Sequence, residues 1–351
     1  MGGVETLFQN VCEGLVKKGH IVSVVTSRLP NTEDGEVING VEVDRIKTPN
    51  RYLFTLHALR MSTKWARQVD IIHTSTYTGA FPAWIASKIW RKPCVITVHE
   101  VLGKRWKKFG FKNAWLLELL EKIILKLGFN KYVGVSVSTC DQLCDHTSHF
   151  PTLIYNGVDY KHWNPDKYQP IRLHDGFTYL YFGRAGITKG IENLIIASDI
   201  IKGKLPNSRL VMILGKEPAD ERKKIVDMID RWGLKDHIIL MNSVPYDILP
   251  RYIKGVDCVV VPSLSEGFGF SCAEACAMGV PVVCSDVDSL PEVVSGKYCL
   301  VRNTTEHQDY INLASSILKV AYGIYKDLPL KKFEWEDSIN KYENVYKELV
   351  N

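Results

Sequence analysis

At 351 residues the chain is long for one domain and points to two. Hydrophobic residues make up 46% and charged residues 24%, which fits a globular protein and excludes a disordered or low-complexity chain. A net charge of +5 is too mild to signal nucleic acid, and no run of 18 uncharged apolar residues offers a spanning helix. No signal peptide is visible. The nine cysteines are scattered, several within apolar runs such as those around Cys94 and Cys258. They read as buried thiols of a reducing compartment, so a cytoplasmic protein is expected. The pairs Cys140/Cys144 and Cys272/Cys276 lack the matching half of a zinc site and read as helix neighbours.

Along the chain, short β-branched runs alternate with amphipathic helical stretches. The runs at 21–27, 69–75, 93–99 and 132–138 predict strands, separated by helical patterns such as ETLFQNVCEGLVKKG and AWLLELLEKIILKLG. This alternation is the signature of βαβ units on a parallel sheet covered on both faces. Around 160–176 periodicity stops in a stretch with two prolines and several charges, as in a linker. Strand-like runs resume at 177–183, 208–215, 237–243, 257–263 and 281–286, and the chain closes on one amphipathic helix. The expected fold is α/β, with two doubly wound Rossmann-like domains facing a cleft. The expected division is 1–163, linker 164–176, 177–332, and a terminal helix 333–351 that crosses back. Ligands of such sheets bind outside the carboxyl ends of the strands.

Two stretches look like ligand sites. Gly183-Arg-Ala-Gly-Ile-Thr-Lys-Gly190 follows the first strand of the second half and opens a helix. Backbone N–H groups and the helix dipole make such a turn an anion site, and Arg184 and Lys189 add two cations there. The residues alone equally allow a diphosphate site or two solvated charges. The second stretch is SEGFGFSCAEACAMGVPVV, residues 265–283, with Glu266 in a loop and Glu274 about one turn inside the following helix. Gly267 and Gly269 permit close backbone approach to a ligand. Two carboxylates suit the vicinal hydroxyls of two sugar rings, so a nucleotide sugar fits the whole pattern. The plainer alternative is a helix-dipole charge at Glu274 and a solvated glutamate at Glu266.

The E-x7-E spacing in this stretch resembles the signature of the retaining glycosyltransferases of family 4, the glycogen synthase and mannosyltransferase-like group 1 enzymes of GT-B fold. Further motifs agree in order: Gly2-Gly3, Val98-His99-Glu100, Tyr155-Asn-Gly-Val-Asp159 and the Gly-Arg and Lys-Gly elements of FGRAGITKG. The resemblance implies a hexosyltransferase using a UDP- or GDP-sugar donor, with a glycan or lipid-linked acceptor, often in cell-envelope glycan synthesis. By the same resemblance Arg184 and Lys189 would neutralise the departing diphosphate, and Gly183 would line the donor site. Gly267, Phe268, Gly269 and Phe270 would hold phosphates and sugar. Glu266 would bind hydroxyls of the transferred sugar and Glu274 the ribose. His99 would approach from the first domain, and Gly2 and Gly3 would line the cleft. No cofactor and no metal are expected. Asp286-Val-Asp288 matches a metal-binding D-x-D pattern, but a lone pair of carboxylates is a weak ligand set. His73, also at a strand end, is expected to be a core histidine.

The chain departs from that family at its start: Met1 leads directly into Gly2-Gly3, where a strand is expected, so the first strand of the first domain is missing. A nucleotide-sugar-binding but inactive or partner protein therefore stands beside the transferase, and a sugar-nucleotide epimerase of related two-domain architecture is a third reading. Finally, Gly103–Lys112 interleaves five cations with Trp106, Phe109 and Phe111. Arg105, Trp106, Lys107, Lys108 and Phe109 are expected to touch an anionic membrane surface, on the inner face of the cell membrane, rather than nucleic acid. The helix over 113–128 is expected to pack on the first sheet, with Glu118, Glu121, Lys122 and Lys126 in its polar stripe. The oligomeric state has no signal in the sequence.

Overall fold

A computed structural model describes residues 2–30, 32–48, 51–147, 150–302 and 309–351. Its contacts divide the chain into two compact units, one of residues 1–157 with 333–351 and one of residues 158–332.

The first unit contains α1 (Gly3–Lys17), β1 (Ser23–Ser27), β2 (Gly35–Ile38), β3 (Val41–Ile46), α2 (Arg51–Ala66), β4 (Ile72–Ser75) and α3 (Ala80–Trp90). It continues with β5 (Cys94–Val98), α4 (Arg105–Lys108), α5 (Ala114–Leu125), β6 (Lys131–Gly134), α6 (Val137–Cys144) and β7 (Thr152–Leu153). Its strands form two sheets. One has the order β1-β3-β2, and the other is the all-parallel β4-β5-β6-β7. β1 and β4 are therefore each edge strands among the described residues. β5 is buried along its whole length, as an interior parallel strand must be, and with Leu125, Phe129, Tyr132 and Leu143 it makes the core.

The second unit contains β8 (Phe177–Gly183), α7 (Ile191–Lys204), β9 (Ser208–Leu214), α8 (Ala219–Arg231), β10 (Ile238–Asn242), α9 (Leu249–Lys254) and β11 (Cys258–Val261). Then follow α10 (Phe270–Ala277), β12 (Val282–Ser285), α11 (Leu290–Val293), β13 (Gly296–Val301), α12 (Asp309–Ala321) and β14 (Lys326–Leu328). One sheet runs β10-β9-β8-β11-β12-β13-β14, parallel except for the last strand. Tyr179, Leu194, Ile195, Leu210, Met212, Val260 and Ile317 fill its core. Each such side chain contributes about 1.5–3 kcal/mol relative to exposure. α13 (Trp335–Val350) returns to the first unit. There Ser338 Oγ donates to the Tyr155 carbonyl at 2.6 Å, and Tyr342 hydroxyl meets Thr97 Oγ1 at 3.1 Å. The predicted strand at 132–138 ends at Gly134, because Ser136 caps α6 by accepting from Thr139 N at 3.0 Å.

The stretch 158–176 is anchored at particular points, with many of its residues exposed. Trp163 is buried, and the His162 ring lies 4.0 Å from that of Tyr246 with an interplanar angle of 8°. Apolar rings thus give a polar, proline-bearing stretch a place in the second unit.

Candidate active site

In the second sheet the chain leaves β8 to build β9 and β10 on one side, then returns to add β11 and its successors on the other. The boundary between β8 and β11 is therefore the topological switch point, where the outgoing loops diverge and leave a crevice. Both sequence-predicted stretches sit there. The turn after β8 carries Arg184 and Lys189 into α7, and the loop after β11 carries Glu266 to Phe270 into α10.

The two loops are tied to each other. Leu264 N donates to the Thr188 carbonyl at 2.7 Å. Gly190, at φ 64°, lets the turn lie against Pro262, whose carbonyl oxygen would be 1.9 Å from any Cβ placed there. Gly269, at φ 88°, caps α10 in the left-handed region, and a Cβ there would meet Leu290 at 2.7 Å. The spacing of these glycines is thus set by close approach as well as by turn geometry.

Lys189 Nζ lies 2.8 Å from Glu266 Oε2, which also accepts from Ser263 Oγ at 3.0 Å. Arg184 is exposed, its carbonyl held by the buried Tyr181 hydroxyl at 3.0 Å, and its guanidinium makes no ion pair with the described residues. The Glu266 loop is braced from the turn after β12. Asp288 Oδ2 accepts from Ser265 Oγ at 2.7 Å and from Glu266 N at 3.1 Å, and Ser289 Oγ donates to the Glu266 carbonyl at 2.9 Å. Asp288 is a loop buttress, which explains a carboxylate at this position without a metal. Sequence reasoning noticed Asp288 as a D-x-D residue and missed its partners. Ser265 and Ser289, small hydroxyls flanking the loop, were the available signal.

Glu274 stands one turn inside α10 with no hydrogen-bond partner among the described residues. Burial pushes its carboxyl up to about 8, and burial, followed by the Glu274 charge, raises Tyr246. A desolvated carboxylate without donors is a group that a ligand's hydroxyls would satisfy. The structure thus brings Gly183, Arg184, Lys189, Glu266, Gly267, Phe268, Gly269, Phe270 and Glu274 into one unit around one switch point. It places Gly2, Gly3, His99 and residues 105–109 in the other.

Within the first unit, Gly2 caps α1 and its carbonyl accepts from Thr6 N at 3.0 Å. His99 follows β5, and its Nε2 is buried without a hydrogen-bond partner. Burial lowers His99 to about 4, so the ring is neutral near pH 7. His73 differs: Tyr346 hydroxyl meets its Nδ1 at 2.6 Å and Thr97 Oγ1 its Nε2 at 2.8 Å, so both ring nitrogens are satisfied in the core. Of His73 and His99, only His99 keeps a buried ring nitrogen with capacity left for a ligand.

The basic-aromatic segment corrects two expectations. Residues 105–108 form α4, and Trp106 is not a free membrane contact. Its Nε1 donates to Glu121 Oε2 at 3.2 Å, and its ring packs on Tyr77 and Phe111 at 6.1 and 4.9 Å. Glu121 also accepts from Tyr77 hydroxyl at 2.9 Å, Leu102 N at 3.0 Å and Gly103 N at 2.6 Å. Glu118 pairs with Lys122 at 2.7 Å and Lys107 at 3.1 Å, and these lysines hold its carboxyl below the usual range. Of the expected polar stripe of α5, Glu118 and Glu121 are buried beside Ile124 and Leu125 as acceptors that organise the preceding loop, while Lys122 is half-buried and Lys126 exposed. A cavity of about 210 Å³ opens beside that loop, lined by Leu102, Gly103, Arg105, Gln142, Asp145 and His146.

Comparison with known proteins agrees with this architecture. Residues 1–162 match the glycosyltransferase family 4 model, and residues 166–321 match the model for glycosyl transferases group 1. The chain belongs to the group 1 glycosyltransferases, and it is an enzyme of the transferase class. It is 26% identical to an uncharacterized glycosyltransferase of Methanocaldococcus jannaschii, over 99% of this chain and 94% of the other. In fold it is similar to sucrose-phosphate synthase from Thermosynechococcus elongatus, with TM-score 0.79 and 21% identity over 99% of this chain and 94% of that one. It is also similar to Anabaena HepE in complex with UDP-glucose, with TM-score 0.72 and 18% identity over 99% of this chain and 97% of that one. The GT-B assignment made from motifs holds for this glycosyltransferase, and no helix of its described residues is long and apolar enough to cross a membrane.

Proposed function

We propose that this glycosyltransferase moves a hexose from a UDP- or GDP-sugar to a glycan or lipid-linked acceptor with retention of anomeric configuration. One observation carries the donor reading: Lys189 and Glu266, a cation for phosphate and a carboxylate for hydroxyls, lie 2.8 Å apart at the switch point beside the exposed Arg184. Breaking the sugar–phosphate bond develops positive charge at the anomeric carbon and negative charge on the diphosphate. Arg184, Lys189 and the N-terminus of α7 stand where the negative charge gathers, and fixed cations and dipoles there lower the barrier. Donor binding exchanges partners: Lys189 turns from Glu266 to phosphate, and Glu266 accepts from hydroxyls of the transferred sugar. Glu274 accepts from the ribose. In the first unit His99, neutral and with Nε2 unsatisfied, keeps a ring nitrogen available to a sugar hydroxyl. The acceptor engages the first unit, where the cavity beside Gly103 and Arg105 suits a small polar group.

UDP-glucose bound to the fold-similar HepE favours the uridine donors among these two classes. The test is thermal unfolding with saturating UDP or GDP, for the wild type and Glu274→Ala. A ligand at 100 times its dissociation constant adds about 2.7 kcal/mol. A rise with one nucleotide that shrinks in the variant supports the assignment; no rise with either overturns it.

A further inference from the structure

α5 buries Ile124 and Leu125 in the core of the first unit but turns a second set of apolar residues outward. Trp115, Leu119 and Ile123 are 63%, 46% and 41% exposed, and Leu116 and Leu120 are exposed beside them. Positions 115, 116, 119, 120 and 123 recur at helical spacing and make one continuous stripe. The opposite face holds Glu118 and Glu121, at 7% and 3% exposure. A surface helix of a globular domain normally has the reverse polarity, and an exposed apolar stripe of this size marks an interaction site.

The charges around the stripe identify the occupant. Between Gly103 and Lys126 the sequence holds seven cations, Lys104, Arg105, Lys107, Lys108, Lys112, Lys122 and Lys126, against two acids, Glu118 and Glu121. Both acids face inward, so this surface shows solvent no carboxylate from the segment, while Lys104, Lys112 and Lys126 are exposed. A second copy of the same face would bring like charges together, and a neutral apolar partner would leave the lysines unanswered. An anionic lipid surface answers both features, taking apolar side chains below its headgroups and lysines among them.

We infer that the outward face of α5 docks on an anionic membrane surface, with Trp115, Leu119 and Ile123 entering the headgroup boundary and Lys104, Lys112 and Lys126 binding its phosphates. The loop at 105–109, which sequence alone singled out, acts by holding the helix in place. The Glu121 carboxylate ties Gly103 and Trp106 to α5, so helix and basic segment present as one rigid face. The inference does not rest on the donor reading. It would let a lipid-linked acceptor meet the enzyme where it is embedded.

The test is flotation of the full chain with phosphatidylcholine vesicles containing about one-third phosphatidylglycerol, against pure phosphatidylcholine. Three proteins are compared: wild type, Trp115→Gln/Leu119→Gln, and Lys104→Gln/Lys112→Gln/Lys126→Gln. All five substitutions are at exposed positions, and unfolding midpoints are measured alongside. Each lysine contributes roughly five-fold in partitioning, so the triple variant should bind on the order of a hundredfold more weakly. The apolar variant should lose binding at low salt as well, which a purely electrostatic contact would not. Hydrolysis of UDP-glucose without vesicles should be the same in all three. Its absence in all three would sink the donor reading and leave this inference standing. No flotation of wild type on anionic vesicles at low salt, or equal flotation of folded wild type and apolar variant, overturns it. So does sedimentation of the wild type as a dimer that Trp115→Gln/Leu119→Gln converts to monomer without any vesicle binding.

Discussion

Replacing Glu274 by glutamine keeps the shape of the side chain and removes its ionisation. In the folded protein burial raises this carboxyl from 4.5 to about 8, so the native state holds its proton where the unfolded chain has released it. The sign follows from proton binding. Between pH 4.5 and 8 the native state binds more protons, so stability falls as pH rises through that window and is flat above it. At 1.36 kcal/mol per pH unit the ceiling is ~5 kcal/mol, and solvent contact at the rim reduces it to ~2–3 kcal/mol. Glutamine has no such slope. The difference between variant and wild type should therefore be under about 1 kcal/mol at pH 5 and widen in favour of the variant to ~2–3 kcal/mol at pH 8.5. For a unit of this size that is about 5–10 °C in unfolding midpoint. The assay is thermal unfolding at both pH values with and without saturating UDP. Hydroxyls donated to the carboxylate favour its charged form, so UDP should bind more tightly as pH rises towards 8 in the wild type and show no such trend in Glu274→Gln. Parallel stability curves for the two proteins would refute the idea that a desolvated carboxylate sits in this site at a standing cost.

Lys189→Ala removes a cation from the leaving-group region, and the rate of donor turnover should fall on the order of 10²–10³-fold. The pair it breaks with Glu266 is partly exposed, so the unfolding midpoint should move little. Gly190→Ala forces a Cβ to 1.9 Å from the Pro262 carbonyl at φ 64°, whereas Gly233→Ala, at φ 63°, meets no atom within 4 Å. Denaturant unfolding should show the second losing about 1–2 kcal/mol and the first clearly more, with loss of UDP binding. Equal losses would mean that strain alone, and not the contact between loops, fixes the glycine. Asp288→Ala leaves Ser265 Oγ and Glu266 N without their acceptor. Stability should drop by about 1–3 kcal/mol, and added Mn²⁺ should change neither the activity nor the midpoint of the wild type.

Alternation of apolar runs with amphipathic stretches fixed the fold class from sequence, because parallel strands buried on both faces need continuous β-branched runs. The β8 and β9 predictions fell within one residue of the strands for that reason. The hairpin of β2 and β3 was missed although Ile38-Asn39-Gly40-Val41 carries the Asn-Gly turn that signals one. Its strands are short and half polar, and a search for continuous apolar runs passes over them. The strand β14 and the two-residue β7 have no signal of their own and exist because a neighbouring edge pairs with them.

For the donor site the sequence supplied the residue types and their order, since glycines, a lysine and two carboxylates at turn positions state their chemistry locally. It could not show that Lys189 and Glu266 meet, that Asp288 serves as a buttress, or that His73 is satisfied while His99 is not. Those facts depend on which strands become neighbours and on partners distant in sequence. The same limit reversed α5. Its pattern says only that one stripe is apolar and another charged. The inward face combines Ile124 and Leu125, which join the core, with Glu121, which accepts from the distant backbone amides of Leu102 and Gly103, and these partners are set by the tertiary structure.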